Sequence, residues 1–183
     1  MIKGNTILLR TVRSTDLDAL YGFLEDISTR GDFFPLGVPS ESAFRKEFQE
    51  TGFWTDAFGR LLICDHDGPI RGSIWYFKPA PYMDALEIGY QMFDVSSREK
   101  GYMSEALGLL ARYLFDTRPV GRIQLTTLLG NAASQRVAEK NGFSREGVLR
   151  GAVYLRGESH DVQMFSLLRG ELDRGPAAGP ASD

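Results

Sequence analysis

Two short stretches of this 183-residue chain hold residue types whose spacing suits chemistry. The first is Glu87-Ile88-Gly89-Tyr90, followed by Arg98-Glu99-Lys100-Gly101-Tyr102-Met103. An apolar strand-like run that passes through a basic, glycine-containing loop into a helix start makes an anion site. Backbone N–H groups without partners and the positive end of the helix dipole converge there. Gly101 permits close approach of a ligand to the backbone, and Arg98 and Lys100 add charge. The same Arg-x-x-Gly pattern, taken alone, also describes an ordinary solvated turn. The second stretch is Asn131-Ala132-Ala133-Ser134, continued by Glu139-Lys140-Asn141-Gly142-Phe143 and Glu146-Gly147. Here Asn131 reads as a helix N-cap and Ser134 falls one turn inside that helix.

The elements that must position these residues follow from periodicity. Ile7-Leu8-Leu9 reads as a strand, and Ser14-Thr15-Asp16 supplies N-cap chemistry for a helix through about Asp26. Ser40 caps a second helix in which Phe44 and Phe48 repeat at i,i+4. Leu61–Cys64 and Ile70–Phe77 flank a turn and predict a hairpin, with a further strand over Ala85–Met92. Met103, Leu107, Leu110 and Leu114 form the apolar stripe of a helix to about Asp116. Ile123–Leu128 is strand-like, Ala132–Lys140 helical, and strands near Val148–Leu155 and Val162–Leu168 close the series. The order β-α-α-β-β-β-α-β-α-β-β fits a mixed sheet covered by helices, not a regular doubly wound fold. The Pro/Gly/Ala-rich tail 174–183 is expected to be disordered, leaving a single domain over 1–173.

Composition narrows the chemistry. The net charge of −3 argues against bulk nucleic-acid or membrane-surface binding. One cysteine, Cys64, excludes an internal disulfide and fits a reducing cytoplasm, and only two histidines leave no metal site expected. No apolar run reaches membrane-span length, so neither a signal peptide nor a membrane partner is expected. The charge is unevenly spread. Residues 98–150 hold nine Lys/Arg against five Asp/Glu, whereas the remainder holds twelve against nineteen. The basic third suits an anionic small molecule, and the acidic remainder suits a cationic acceptor.

In order along the chain, E-I-G-Y, R-E-K-G-Y-M-S-E-A-L, N-A-A-S, E-K-N-G-F and E-G-V-L-R resemble the GNAT superfamily of N-acetyltransferases. The closest branch is that of the ribosomal-protein N-terminal acetyltransferases, and the resemblance runs from Leu8-Leu9-Arg10 to Met164. It implies an α+β (mixed α/β) fold: a mostly antiparallel sheet with a splayed central strand pair, flanked by four helices. It implies acetyl-CoA as acyl-donor substrate, bound through Phe93, Asp94 and Val95 at the strand end. The loop residues Arg98, Glu99, Lys100, Gly101, Tyr102, Met103 and Ser104 would hold the pyrophosphate, with Asn131 beside the pantetheine. Met103 replaces the small residue usual in that loop, which backbone binding tolerates.

The implied reaction is direct attack of a primary amine, on a small molecule or a peptide, at the thioester. An aliphatic ammonium with a pKa of roughly 10 must first lose a proton, which asks for a general base. Glu87 is the candidate, with an ion-paired sheet residue as its plainer alternative. A backbone N–H on the Tyr90–Phe93 strand is expected to hold the oxyanion. The helix tyrosine that donates the final proton in many relatives is Ala138 here. The resemblance to the ribosomal-protein branch, which uses a serine at the fourth position of this motif, implies Ser134 as partner of the thiolate, with a plain helix residue as its alternative. A glutamate used as base by some enzymes of the branch is replaced by Val153, which leaves Glu158, His160 and Asp161 as other candidates. The acceptor pocket is expected to be built from the loop between the first two helices and from the last hairpin, where Asp32, Phe33, Phe34, Trp54, Trp75, Tyr76 and Tyr154 are available, with Phe53; core packing is the plainer alternative for these aromatics. The same fold with a longer acyl-CoA or an aminoacyl-tRNA donor, and a non-catalytic acyl-CoA-binding module, stand as alternatives. Members of the branch are often dimers, so a homodimer is an expectation.

Overall fold

Ile7–Thr11 (β2) alternates cleanly: Ile7 and Leu9 enter one core and Leu8 another, on opposite faces of a single sheet. That alternation sets up the whole molecule, seen in a computed structural model that describes residues 1–66, 68–93, 95–97 and 99–172. Asp94, Arg98 and the tail 174–183 lie outside the described residues. The strands are Ile2–Lys3 (β1), β2, Phe58–Asp65 (β3), Ile70–Phe77 (β4), Ala85–Met92 (β5), Arg122–Leu128 (β6), Ser144–Leu155 (β7) and Glu158–Leu168 (β8). They form one sheet in the order β1-β2-β3-β4-β5-β6-β8-β7, antiparallel throughout except for β5 against β6.

Four α-helices cover the two faces. Leu17–Glu25 (α1) and Glu41–Thr51 (α2) lie over Leu8, Leu62, Cys64 and Phe93. Tyr102–Thr117 (α3) and Ala132–Lys140 (α4) lie over Ile74, Leu86, Ile88 and Leu125. The stripe of α3 is fully engaged: Ala106, Leu107, Leu110 and Leu114 are each 0% exposed. Burial of each such leucine contributes roughly 1.5–3 kcal/mol.

The expected order of elements is observed, with three differences. A two-residue β1 precedes the first expected strand and pairs with β2. Ser14–Asp16 forms a 3-10 turn, so α1 starts at Leu17. The reason is that Asp16 accepts the Arg13 N–H at 2.8 Å and both guanidinium nitrogens of Arg10 at 2.6 and 2.8 Å, which fixes the turn to β2 before the helix begins. Third, β7 and β8 are longer than their apolar runs because polar residues at 144–147 and 158–161 join the ladder. Two chain reversals agree with the reading of the sequence. Asn131 caps α4, accepting the Ser134 N–H at 3.1 Å, and Gly142 leaves its C-terminus at φ 78°.

The parallel pair decides function. β5 and β6 are in register only over Ala85↔Arg122, Leu86↔Ile123 and Glu87↔Gln124. Beyond Glu87, β5 stays with β4 as far as Gly72↔Met92, while β6 stays with β8 as far as Leu128↔Val162. The sheet therefore opens between them. The helices that follow, α3 after β5 and α4 after β6, start on the two sides of that opening.

Candidate active site

Glu87 stands at the apex of the opening, the last β5 residue still paired with β6. Its Oε2 accepts from Gln124 Nε2 at 2.9 Å and its Oε1 from Thr126 Oγ1 at 3.1 Å. Gln124 is in turn held by Arg122 Nε at 3.0 Å, and Arg122 clasps Glu146 through both oxygens at 2.6 and 2.7 Å. That clasp, with the Ser166 hydroxyl on Glu146 at 2.6 Å, pulls the Glu146 carboxyl down to about 2. Glu87 thus has a fixed orientation without an ion-pair partner of its own in the network.

By strand alternation Glu87, Gly89 and Gln91 share the face of α1 and α2, and Ile88, Tyr90 and Met92 the face of α3 and α4. Tyr90 crosses the opening on that second face, its hydroxyl 2.6 Å from Ser134 Oγ in the first turn of α4. Burial pushes the Tyr90 phenol up to about 12, so at neutral pH it is a proton donor. The two candidate proton-handling sites therefore lie on opposite faces of the sheet, with the gap between β5 and β6 joining them.

The loop into α3 has the form of an anion cradle. Glu99 and Gly101 both take positive φ, 60° and 82°, and among the described residues no side chain caps the helix. The first N–H groups of this 16-residue helix are thus left facing outward with the helix dipole behind them. A Cβ on Gly101 would meet nothing within 4 Å, so its glycine serves backbone conformation and access, not packing. Glu99 and Lys100 are exposed, whereas Met103 is turned into the core and leaves only its backbone to the loop. Tyr102 packs partly against the same core. Ser104 Oγ accepts from Asn141 Nδ2 at 3.2 Å, tying α3 to the end of α4. Phe93 is buried beneath α1, stacked on Phe23 at 4.4 Å, while its N–H bonds Arg71 O at 2.9 Å. Val95 begins a short 3-10 turn, Val95–Ser97.

Two of the other candidate bases, His160 and Asp161, are occupied elsewhere. His160 Nε2 bonds Leu155 O at 3.1 Å and Asp161 accepts the Gly151 N–H at 2.8 Å, so both brace the β7–β8 hairpin. Val153 faces His160 across that hairpin, and Glu158 is exposed. Ala138, at the place of the relatives' tyrosine, is buried in the core. Burial also pushes the Cys64 thiol up, away from nucleophilic use. Sequence reading passed over Tyr90 as a side chain, although its alternation with Gly89 already placed it opposite Glu87.

Beside Gly89 on the α1/α2 face is a cavity of about 480 Å³ lined by Phe34, Phe53, Phe58, Arg60, Trp75 and Gln91 among others. Phe34, Phe53 and Trp75 line this cavity, whereas no residue of the β7–β8 hairpin, expected as a wall of the acceptor pocket, does. Trp54 and Tyr76 do not: they meet edge-on, 5.5 Å apart, in the core under α3, because the place of Tyr76 on β4 and the isolated bridge of Trp54 to Gly59 turn both to the other face. Tyr154 is 74% exposed on the edge strand, and Asp32 and Phe33 point to solvent. The cavity's charges are Arg30 and Arg60 against Glu47, opposite in sign to what the chain-wide balance suggested for the acceptor.

A sheet opened at a parallel pair, an uncapped helix start on one rim and a held carboxylate at the apex together define an acyl-CoA-dependent acyltransferase. Residues 6–144 match the family model for the acetyltransferase (GNAT) domain. The chain belongs to the GNAT acetyltransferase family and is an N-acetyltransferase with acetyl-CoA as acyl donor. It is 29% identical over 177 residues to YjcK of Bacillus subtilis (strain 168), named as a probable N-acetyltransferase, covering 92% of this chain and 97% of that one. A Salmonella typhimurium acetyltransferase that modifies the N-terminal serine of ribosomal protein L7/L12 superposes with TM-score 0.72 at 25% identity, covering 90% of this chain and 96% of that one. Vibrio cholerae spermidine N-acetyltransferase, crystallised with CoA and spermine, shares the fold, with TM-score 0.79 at 16% identity over 92% of this chain and 99% of that one. No helix among the described residues is long and apolar enough to cross a membrane.

Proposed function

We propose that the chain acetylates a primary amine by direct attack in the opening between β5 and β6, with Glu87 as general base and Ser134, backed by Tyr90, as donor to the departing sulfur. The observation that carries this reading is the position of Glu87 at the last residue of the β5–β6 ladder, where the sheet parts. Bound acetyl-CoA supplies the acetyl group as a thioester open to an amine.

The chain's residues divide the remaining work. Gly101 and the N–H groups of Tyr102, Met103 and Ser104 receive the pyrophosphate, and Glu99 and Lys100 set the loop that presents them. Arg98 and Asp94 are assigned to the phosphates and the pantetheine arm from the sequence alone. The β5 edge released beyond Glu87, with Phe93, Val95 and the Asn131 cap across from it, lines the arm. A β5 N–H in the segment after Gly89 donates to the carbonyl oxygen, fixed in place before the reaction and so most effective where negative charge develops.

Glu87 accepts the ammonium proton, directly or through one water, from the α1/α2 face. Its bonds to Gln124 and Thr126 keep it pointed at the gap. On the other face the Tyr90 phenol, the more acidic hydroxyl of the pair, donates to Ser134 Oγ and leaves the serine proton free to face the sulfur. Ser134 gives its proton to the departing sulfur and regains one from the amine nitrogen, which sheds its second proton as the tetrahedral intermediate collapses, so that amine and thioester yield amide and thiol.

The acceptor is a small-molecule or peptide amine. Relatives acting on a ribosomal-protein N-terminus and on spermidine bracket that class. A single domain over 1–173, a homodimer and a cytoplasmic site complete the reading. Thiol release from acetyl-CoA on a panel of primary amines tests it. Saturable release that depends on one class of amine supports the reading, and binding of CoA without release on any amine favours an acyl-CoA-binding module.

A further inference from the structure

Arg60, Trp75 and Gly89 stand side by side across β3, β4 and β5, cross-strand partners on the α1/α2 face. Trp75 leans over Gly89 so closely that a Cβ there would sit 2.6 Å from the indole. On its other side the Arg60 guanidinium lies 5.2 Å from the Trp75 ring. The row therefore runs from the β5 edge, where the acetyl group is presented, into the cavity.

Arg60 is a half-buried cation that lies against the Trp75 ring but has no hydrogen bond or ion pair among the described residues. Its Nη1 is buried and makes no hydrogen bond among the described residues. Burial pulls the guanidinium below its ordinary value, while Glu47, on α2 and beyond ion-pair reach, pulls only partly the other way. It stays charged, as an arginine does. The other cationic side chains at hollows are held by carbonyls or a carboxylate, although Arg30 Nε, like Arg60 Nη1, is buried without a hydrogen bond among the described residues. Arg30 on the same cavity donates to three carbonyls, those of Leu24, Pro35 and Gly37, and so fastens the loop after α1. A second hollow, of about 580 Å³ at the end of α3, is bordered by Arg118 and Arg169. Those two are bonded to Asp56 and to the carbonyls of Phe115, Arg118 and Val120. A guanidinium with a buried N–H that lacks an acceptor is costly until an anion meets the group, and a carboxylate is the anion whose geometry it matches.

We propose that Arg60 binds a carboxylate of the acceptor, so that the substrates are amines bearing a carboxylate at a set distance. Two strand spacings separate Arg60 from Gly89, which makes that distance on the order of 10 Å. An extended two- to three-residue peptide spans it. Arg60 is thus a specificity residue. The assignment rests on acetyl transfer at the β5–β6 opening and adds the acceptor's second charge to it.

The test compares Ala-Ala-Ala with its C-terminal amide, and with Ala-Ala-Asp amide, as acceptors for the full chain. Acceptor binding to the CoA-saturated protein is followed in parallel through tryptophan fluorescence. The expected result is a kcat/KM at least tenfold higher for the acid than for the amide, and a ratio near one in Arg60→Gln. The thermal shift produced by acetyl-CoA should be equal in both proteins. Activity with Ala-Ala-Asp amide assigns the carboxylate to a side chain near a protein N-terminus, and its absence to a free small molecule or peptide. Equal use of acid and amide by the wild type overturns the proposal, as does an unchanged ratio in Arg60→Gln or no fluorescence response to either acid. Failure of the acetyl-transfer reading itself has a separate signature, the loss of any thermal shift with acetyl-CoA.

Discussion

The phenol of Tyr90 reaches from β5 to the first turn of α4 and lies 2.6 Å from the hydroxyl of Ser134, spanning the gap that β5 and β6 leave in the sheet. Ala138, one turn further along α4, is buried and has no hydroxyl to offer, whereas this pair brings one to the gap. In the proposed mechanism, proton acceptance at Glu87 and proton donation at Ser134 fall on opposite faces of the sheet, with the reacting carbonyl between them.

Because Tyr90 acts through Ser134, their effects should not add. Ser134→Ala is expected to lower kcat by about 10–100-fold and Tyr90→Phe by about tenfold. Tyr90→Phe placed in the Ser134→Ala protein should cost little more. A double-mutant cycle on kcat, with the KM for acetyl-CoA followed alongside, checks this. With the phenol held at about 12, the wild-type rate should show no loss from tyrosine ionisation between pH 7 and 10.

Gly89 lies under Trp75. Gly89→Ala forces the indole aside, an overpacking of roughly 1–3 kcal/mol. The displacement falls on the acceptor face alone. The KM for the amine should rise about tenfold or more while the acetyl-CoA KM stays within twofold, as steady-state kinetics with each substrate varied will show.

Gly101 needs its positive φ of 82°. Gly101→Ala keeps the space open but strains the loop by about 1–2 kcal/mol. A weaker affinity for CoA, about 5–30-fold by calorimetry, is expected, with the global unfolding midpoint little changed.

Stability should fall in acid for two identifiable reasons. The Arg10 guanidinium bonded to Asp16 holds that carboxyl below its usual range, and the pair is largely buried, with side chains 16% and 10% exposed. A depressed carboxyl pKa means that its contribution is complete above the unfolded value near 4 and is lost as pH falls. Glu146, held to about 2 by Arg122, behaves alike below pH 4.5, but at 41% exposure it is worth about 0.5 kcal/mol. Asp16→Asn leaves Arg10 unpaired and should cost about 2–3 kcal/mol at pH 7, with a flatter acid limb in urea titrations from pH 7 to 3.

Local signals carried much of this arrangement in the sequence. Asn131 before Ala132–Lys140 declared a cap, Gly101 after basic residues a helix start, and Glu87-Ile88-Gly89-Tyr90 a strand with the carboxylate and tyrosine on opposite faces. What was hidden depends on distant partners. The Tyr90–Ser134 bond joins residues 44 positions apart, and no local pattern records it. The parting of β5 from β6 is a matter of register between strands, which apolar periodicity does not specify. Arg60 looked like the polar start of an apolar run. Only its pairing with Trp75, itself paired with Gly89, places it in the cavity. Trp54 and Tyr76 misled for a related reason, since aromatic type alone does not say which face of the sheet a residue takes.

The most direct test is the pH dependence of single-turnover acetyl transfer by Glu87→Gln saturated with acetyl-CoA. With the base removed, the rate at pH 7.5 should fall about 100-fold and then climb with pH toward the amine's own pKa, roughly 10, while acetyl-CoA affinity is unchanged. Wild-type rates with a wild-type pH profile in Glu87→Gln would contradict the assignment of the proton to Glu87.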